Sequence, residues 1–464
     1  PKILNSIPDK DASSIVLSYQ NGDHFQDITA QINFGSLGAS GRIPINTQKF
    51  TIGSGIDVRP VRSFGFSLPC ELGMDGDYLE QIDSVIEGAI REKVMPGCQI
   101  VIARHNKIIY NKSFGYHTYD SLKNVLDSDL YDIASITKIV SGAPILMNLL
   151  ENRSIRLNKK LKYFKNFSDY NDKQNIKIID ILSHQAQLHP WIPFWESFKR
   201  ENKLMPEVFA SSYSEEYNIE VAKNLFFNAR YSDTIYKMIL DYPLLEKKEY
   251  KYSDLGFYLL MPIIADIIPD DISTYVQSNF YRPIEALRIT YNPLDKFLLS
   301  SIIPTERDNY FRNQLIQGYV HDQGAALFGG VGLHAGLFSN AIDLMKFMSL
   351  YLNDGIYMDK VILPRSQIEK FTRSHFINND NRRGLVFDKP SINPDEDGPT
   401  CDSISRKSFG HSGFTGTLSW IDPEQGLIYI FLSNARVYPN GNNTKLVEKN
   451  IRTDIQEIIY KSIL

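Results

Sequence analysis

The sequence predicts an α/β protein in which one antiparallel sheet is assembled from segments far apart in the chain, flanked by helices and interrupted by an α-rich insertion. Three observations predict it. Residues 98–103 and 107–114 read as two strands about the turn His105-Asn106, a β-hairpin. A second strand array appears late, over 408–411, 415–421 and 427–432. Between the arrays, from about 152 to 380, the runs at 176–182, 255–268 and 341–352 have helical character.

In chain order, residues 1–60 form a small α/β piece. It has a short strand at 15–19, a helix-like run at 24–34, a glycine-rich stretch at 35–41 and an extended segment at 42–45. The glycines lack the Lys-Ser/Thr ending of a phosphate-binding loop. So short a piece buries little surface alone, so it must dock on a neighbour or close a domain that lies upstream. The chain opens Pro1-Lys2 without methionine, as a processed or excised form would. A proline- and glycine-containing joint follows at 61–76. From 77 to 464 one domain is expected. Leu79, Ile82, Val85, Ile86 and Ile90 mark an amphipathic helix at its start, ended by Pro96-Gly97, and Val447, Ile451, Ile455, Ile458 and Ile459 mark another at its end.

Composition narrows the class of function. Over 464 residues the net charge is -4, with 22% charged and 43% hydrophobic residues, which is ordinary for a globular protein. No basic stripe suggests nucleic acid, and no apolar run reaches membrane-spanning length. Cys70, Cys98 and Cys401 have no metal-ligand spacing, and Cys98 reads as a core residue. No His-Glu-x-x-His or comparable pattern is present, so neither metal nor cofactor is expected.

The stretch from Tyr131 to Val140 holds Ser135 and Lys138 three apart, where helical spacing begins at Ile139, Ala143, Leu146, Met147 and Leu150. Side chains at i and i+3 share a helix face, about 5–6 Å apart, which makes the hydroxyl a candidate nucleophile and the amine its base. A helix start also favours a developing oxyanion. Alone, the pattern equally suits a serine cap beside a solvated lysine. Partners elsewhere must decide. Tyr250-Lys251-Tyr252-Ser253-Asp254-Leu255-Gly256 opens another helix, and Gly410-His411-Ser412-Gly413-Phe414-Thr415-Gly416 lies on a strand. The latter imitates a Gly-x-Ser-x-Gly elbow, but its fifth position is Phe414, and strands rather than a helix follow. His321, Asp322 and His334 lie in a glycine-rich run whose tight turns make them candidate substrate contacts. For these histidines, as for His184 and His189, the plainer reading is structural.

The order Ser135-x-x-Lys138, Tyr252-x-Asp254, His411-x-Gly413 resembles the serine β-lactamase, penicillin-binding-protein and esterase superfamily, class C-like in its tyrosine. There the elements are Ser-x-x-Lys, Tyr-x-Asn or Ser-x-Asn, and Lys-Thr-Gly with variants such as His-x-Gly. The resemblance covers residues from about 76 to 464. It implies a β-lactamase/transpeptidase-like fold and an acyl-enzyme on Ser135, with Lys138 deprotonating the serine and Tyr252 relaying the proton. The oxyanion hole would be the N–H groups of Ser135 and Phe414. Asp254, His411, Ser412 and Gly413 would contact substrate, with Gly413 admitting it close to the strand. To act near neutrality, Lys138 would need its pKa lowered by roughly 3 from about 10.4, or about 4 kcal/mol. Two departures stand out. Asp254 replaces an asparagine, and His411 replaces a permanently charged lysine. Both turn the expectation away from penicillin-type substrates.

Ser18-Tyr19-Gln20-Asn21, Phe34-Gly35 and the segment Gly41-Arg42-Ile43-Pro44-Ile45 resemble the end of the α/β/α domain of glycoside hydrolase family 3. That family includes β-N-acetylglucosaminidases, and fusions to a C-terminal β-lactamase-like module occur in Bacteroidetes-type bacteria. The resemblance implies that 1–60 is a glycosidase remnant with its barrel upstream. It also implies a peptidoglycan fragment as substrate and a periplasmic or cell-envelope location. The reaction would be cleavage of the amide between N-acetylmuramic acid and L-alanine. The alternatives are an esterase, a D-alanine carboxypeptidase or β-lactamase with the same site, and a non-catalytic peptidoglycan-binding module.

Overall fold

The central sheet is built from β1 (Gly65–Phe66), β2 (Gly97–Arg104), β3 (Lys107–Gly115), β4 (Phe409–Ser412), β5 (Leu418–Asp422) and β6 (Leu427–Ser433). Its strand order is β1-β3-β2-β6-β5-β4, antiparallel throughout except that β1 runs parallel to β3. The computed structural model describes residues 14–60, 64–167, 172–393, 398–441 and 443–464. The main helices are α1 (Asp23–Asn33), α2 (Gln81–Arg91), α3 (Ala143–Glu151), α4 (Leu255–Ala265), α5 (Ala341–Leu352) and α6 (Ile451–Lys461).

The expected hairpin forms as β2–β3. His105 and Asn106 both take positive φ (47° and 64°), the two-residue turn whose twist matches that of the strands. Strand β2 is buried on both faces. Cys98, Ile100 and Ile102 join Ile82 and Ile86 of α2 and Ile455 and Ile459 of α6 in one cluster. Val101 and Ala103 join Leu146 of α3 and Leu344 and Phe347 of α5 in the other. Two-sided burial explains why this strand reads as a nearly continuous apolar run. The N- and C-terminal segments thus lie side by side: Ile430 of β6 pairs with Val101 of β2.

Several expectations need correction. Helix α5 was expected within the insertion, but it packs on the sheet. Its Ala341 N–H donates to Gln99 Oε1 of β2 at 2.9 Å, and Asn340 caps its first turn. The insertion is also less helical than its periodicity suggested. Phe209–Ala210, Leu225–Phe227 and Ile219–Ala222 form a small antiparallel sheet, turned at Asn224 with φ 54°. Aromatic and β-branched side chains there favour strand over helix. Residues 15–19 are not a strand, because nothing among the described residues pairs with them, and Ile15 and Tyr19 are exposed. Asn450, at φ 53°, separates α6 from a short turn that leaves Val447 exposed. Within the expected joint, whose residues 61–63 lie outside the described residues, β1 adds an edge strand to the sheet. Residues 1–13, including the Pro1-Lys2 start, also lie outside. Among the described residues no helix is long and apolar enough to cross a membrane.

Candidate active site

The serine turn is held from both sides. Tyr131–Asp132 pairs antiparallel with Phe338–Ser339, and the chain then bends at Ala134 with φ 45°. A left-handed alanine costs roughly 1–2 kcal/mol, so something must hold it. Asp132 does: its Oδ1 accepts the Ala134 N–H at 2.8 Å and its Oδ2 accepts the His321 N–H at 2.6 Å. Ser135 lies in a single 3₁₀ turn, Ala134–Ile136. Lys138 opens a π-helical turn, Lys138–Gly142, ahead of α3. The two residues therefore do not share the regular α-helix that their spacing suggested. The tight turn followed by the wide one still brings Lys138 Nζ to 2.9 Å from Ser135 Oγ.

Tyr252 and Asp254 arrive at the start of α4. The Tyr252 hydroxyl donates to Ser135 Oγ at 3.0 Å, and Asp254 Oδ1 lies 2.6 Å from Lys138 Nζ. This segment is seated by His184, whose ring packs on Tyr252 with centroids 4.5 Å apart and whose Nδ1 accepts the Ser253 N–H at 3.1 Å. Burial, reinforced by Arg383 and Lys138, pushes the His184 pKa well down, so it serves as a neutral support. His189 packs edge-on against Tyr242, also as support.

Lys138 is wholly buried, donates to Ser135 Oγ and to the His334 carbonyl at 3.1 Å, and forms an ion pair with Asp254. Two acceptors and a carboxylate around Nζ suit an ammonium. Burial works to lower its pKa, but Asp254 and Tyr252 outweigh burial and hold it above the usual lysine value. The lowered pKa expected from the sequence is thus reversed. The cause is Asp254, a carboxylate where the resemblance implies an amide. Burial and Asp254 likewise hold the Tyr252 phenol above its ordinary pKa, so at rest Ser135 Oγ faces two proton donors.

The third stretch lies only partly on a strand: β4 ends at Ser412, and Gly413 to Gly416 form the turn after it. Close packing alone requires the glycine at 413. A Cβ there would come within 2.0 Å of Thr417 Oγ1 and 2.6 Å of the Ile133 carbonyl oxygen, so the glycine admits the serine turn to the strand end. His411 is buried at the cavity wall. Its Nδ1 faces the Ser412 carbonyl at 2.7 Å and its Nε2 lies 3.3 Å from Arg383 Nη1. Burial and Arg383 push its pKa down to about 3, leaving it neutral.

Arg383 is the cation that the sequence reading missed. Its guanidinium bonds Tyr250 at 2.9 Å and Asp388 at 3.1 Å and lies 5.1 Å from the centre of the Tyr252 ring. A neighbouring loop thus places a permanent cation beside His411. Only the dipeptide Arg382-Arg383 in the sequence hinted at it.

Ser135, Tyr252, Asp254, His411, Ser412, Gly413 and Phe414 line one cavity of about 820 Å³. His321, Asp322 and His334 line it too. His321 Nε2 pairs with Glu306 at 3.1 Å and its ring stacks on Phe414. Asp322 caps a short helix through the Ala325 N–H at 2.7 Å, and its Oδ1 meets His334 Nε2 at 3.2 Å. The three residues are therefore partly structural, and all reach the cleft. Glu306, from a hairpin strand of the insertion, was also missed.

The sequence profile of the Beta-lactamase family matches residues 82–449. The chain belongs to that family. Among curated relatives of this hydrolase, a Salmonella gallinarum protein provisionally named a D-alanyl-D-alanine carboxypeptidase is 28% identical over 401 residues, covering 81% of this chain and 86% of its own. The N-acetylmuramyl-L-alanine amidase of Bacillus subtilis is 27% identical over 391 residues, covering 78% and 82%. The fold is also that of a penicillin-binding protein homologue from Pyrococcus abyssi, with TM-score 0.56 at 18% identity over 81% of this chain and 77% of the other. A beta-lactamase-family member with a serine, lysine and tyrosine in mutual contact is equipped for acyl transfer to a hydroxyl.

Proposed function

We propose that this chain is a serine amidase of peptidoglycan fragments, cleaving the bond between N-acetylmuramic acid and L-alanine. The observation that carries the reading is Ser135 Oγ held 2.9 Å from Lys138 Nζ and 3.0 Å from the Tyr252 hydroxyl, at the cavity wall. In the proposed cycle Lys138 first passes a proton to Asp254. The freed amine then takes the Ser135 proton as Oγ adds to the amide carbon. The N–H groups of Ser135 and Phe414 receive the oxyanion, each worth about 2.7–4 kcal/mol in the transition state. Tyr252 gives its proton to the leaving nitrogen and is reprotonated from Lys138. Water then hydrolyses the ester, its proton passing through Lys138 to Ser135 Oγ, the acid is released, and Asp254 returns its proton to Lys138. The Bacillus subtilis relative's name supports the choice of bond.

By the same proposal, residues 1–60 are the remnant of a family 3 glycosidase domain, 61–76 the joint and 77–464 the hydrolase, placed in the periplasm or at the cell envelope. Helix α1 has no fully buried residue, as suits a piece whose packing partner lies elsewhere. A second reading, removal of a terminal D-alanine, is favoured by Arg436, which lies over the Phe414 ring, and by Arg452, which lines the same cavity, where a carboxylate could pair.

Mass spectrometry of a mixed muropeptide digest decides. The wild type is expected to release intact stem peptide from muramic acid, and Ser135→Ala to release none. Ser135-dependent loss of terminal D-alanine alone would transfer the proposal to the carboxypeptidase reading. Products independent of Ser135 would remove both.

A further inference from the structure

Two arginines share one carboxylate beside Tyr252. Arg382 holds Asp388 with two N–H groups, at 2.9 and 3.2 Å, and Arg383 Nη2 reaches the same carboxylate at 3.1 Å. Two positive charges against one negative leave the cluster with a surplus of one cation. The Arg382 side chain is partly exposed and screened by water, whereas that of Arg383 is 6% exposed. The surplus is therefore felt most strongly around Arg383.

The histidines nearby do not neutralise it. A guanidinium cannot accept a hydrogen bond, so His411 Nε2, 3.3 Å from Arg383 Nη1, is the acceptor, and the ring keeps its one proton on Nδ1, facing the Ser412 carbonyl. His184, packed on the Tyr252 ring, is neutral as well. The other charged groups at Tyr252, Lys138 and Asp254, already pair with each other at 2.6 Å. A buried cation with a shared counter-ion is unfavourable at rest, and it becomes useful when an anion forms next to it. Tyr252 can become that anion. Its ring centre lies 5.1 Å from Arg383 Cζ, and its hydroxyl meets Ser135 Oγ at 3.0 Å. Burial and Asp254 raise the Tyr252 pKa, while Lys138 and Arg383 work against them.

We propose that Arg383 is a positioning residue for leaving-group departure: its positive charge stabilises the phenolate left on Tyr252 when the Oη proton passes to the leaving atom and the bond from that atom to the acyl carbon breaks. Lys138 then returns a proton to the phenolate. The inference rests on the proton relay of the proposed cycle and adds a selectivity to it. The site is built to expel poor leaving groups, such as amide nitrogens and alkoxides, which must be protonated as they depart.

The test varies the leaving group and keeps the acyl group constant. kcat/KM, which reports acylation, is measured for 4-nitrophenyl acetate, whose leaving group needs little proton donation, and for ethyl acetate, whose leaving group needs much. Arg383→Gln keeps the Arg382–Asp388 pair and removes the surplus charge. It is expected to lose about 100-fold on ethyl acetate and less than about threefold on the aryl ester. Arg383→Lys retains the charge and is expected to keep the wild-type ratio of the two esters within about threefold. Equal losses on both esters in Arg383→Gln are what a merely structural role would give, and they overturn the proposal. A ratio that collapses equally in Arg383→Lys, or a wild type that does not hydrolyse ethyl acetate, overturns it too. If Arg383→Gln does not fold, the more exposed Arg382→Gln also neutralises the cluster and is expected to move the ratio the same way by about threefold; an unchanged ratio there overturns the proposal. The expected ester ratios without muropeptide cleavage would sink only the choice of bond. Cleavage with esters falling in parallel would sink only the role of Arg383.

Discussion

Lys138→Met is expected to lower the rate of Ser135 acylation by about 10⁴-fold, the upper end of what a positioned acid–base group contributes. Methionine fills the volume of the buried lysine stem without a proton to hold or move. The π-helical turn that carries it depends on backbone bonds, and Tyr252 still reaches Ser135. The unfolding temperature should change little, because Asp254 keeps some access to the cavity and can be rehydrated. Kinetics with a chromogenic ester, set beside thermal melts, separate the two effects. A variant within tenfold of wild type would show that Lys138 only props the serine.

The second large effect concerns pH. Asp254 holds the Lys138 ammonium above its ordinary pKa, so at neutral pH the amine form is scarce. Removing the carboxylate leaves burial as the main influence, and burial of an unpaired lysine lowers its pKa. In Asp254→Asn the acid limb of kcat/KM should therefore move to lower pH. The asparagine keeps an oxygen of the same shape facing Lys138, so geometry is largely kept. Stability should respond with the matching sign. A lysine whose folded pKa is raised contributes stability that is present below its unfolded value of 10.5 and is lost as pH rises through the higher folded one. Wild type should therefore lose stability at high pH more steeply than Asp254→Asn. An acid limb that stays put or moves upward would contradict the assigned pair.

Much of this architecture was legible in the sequence, for identifiable reasons. The β2–β3 hairpin carried strand periodicity and a two-residue turn, and Ser135, Lys138, Tyr252 and Gly413 carried recognisable spacings. What failed depended on tertiary context. The helical run 341–352 gave no sign that it would cap the sheet, because both destinations need the same apolar face. Residues 15–19 have strand character but no partner with which to form a ladder. Arg383 and Glu306 lay in loops whose local pattern says nothing, since their meaning comes from Tyr252, His411 and His321, all remote in sequence. Asp254 was visible as a departure. Only the 2.6 Å approach to Lys138 revealed what it reverses.

The most direct test is to quench the wild-type protein in acid during muropeptide turnover, or after a serine-directed fluorophosphonate, and map the adduct by mass spectrometry. One covalent adduct on the peptide containing Ser135, absent from Ser135→Ala, is the predicted result. An adduct on another residue, or turnover that persists in Ser135→Ala, would contradict the account at its centre.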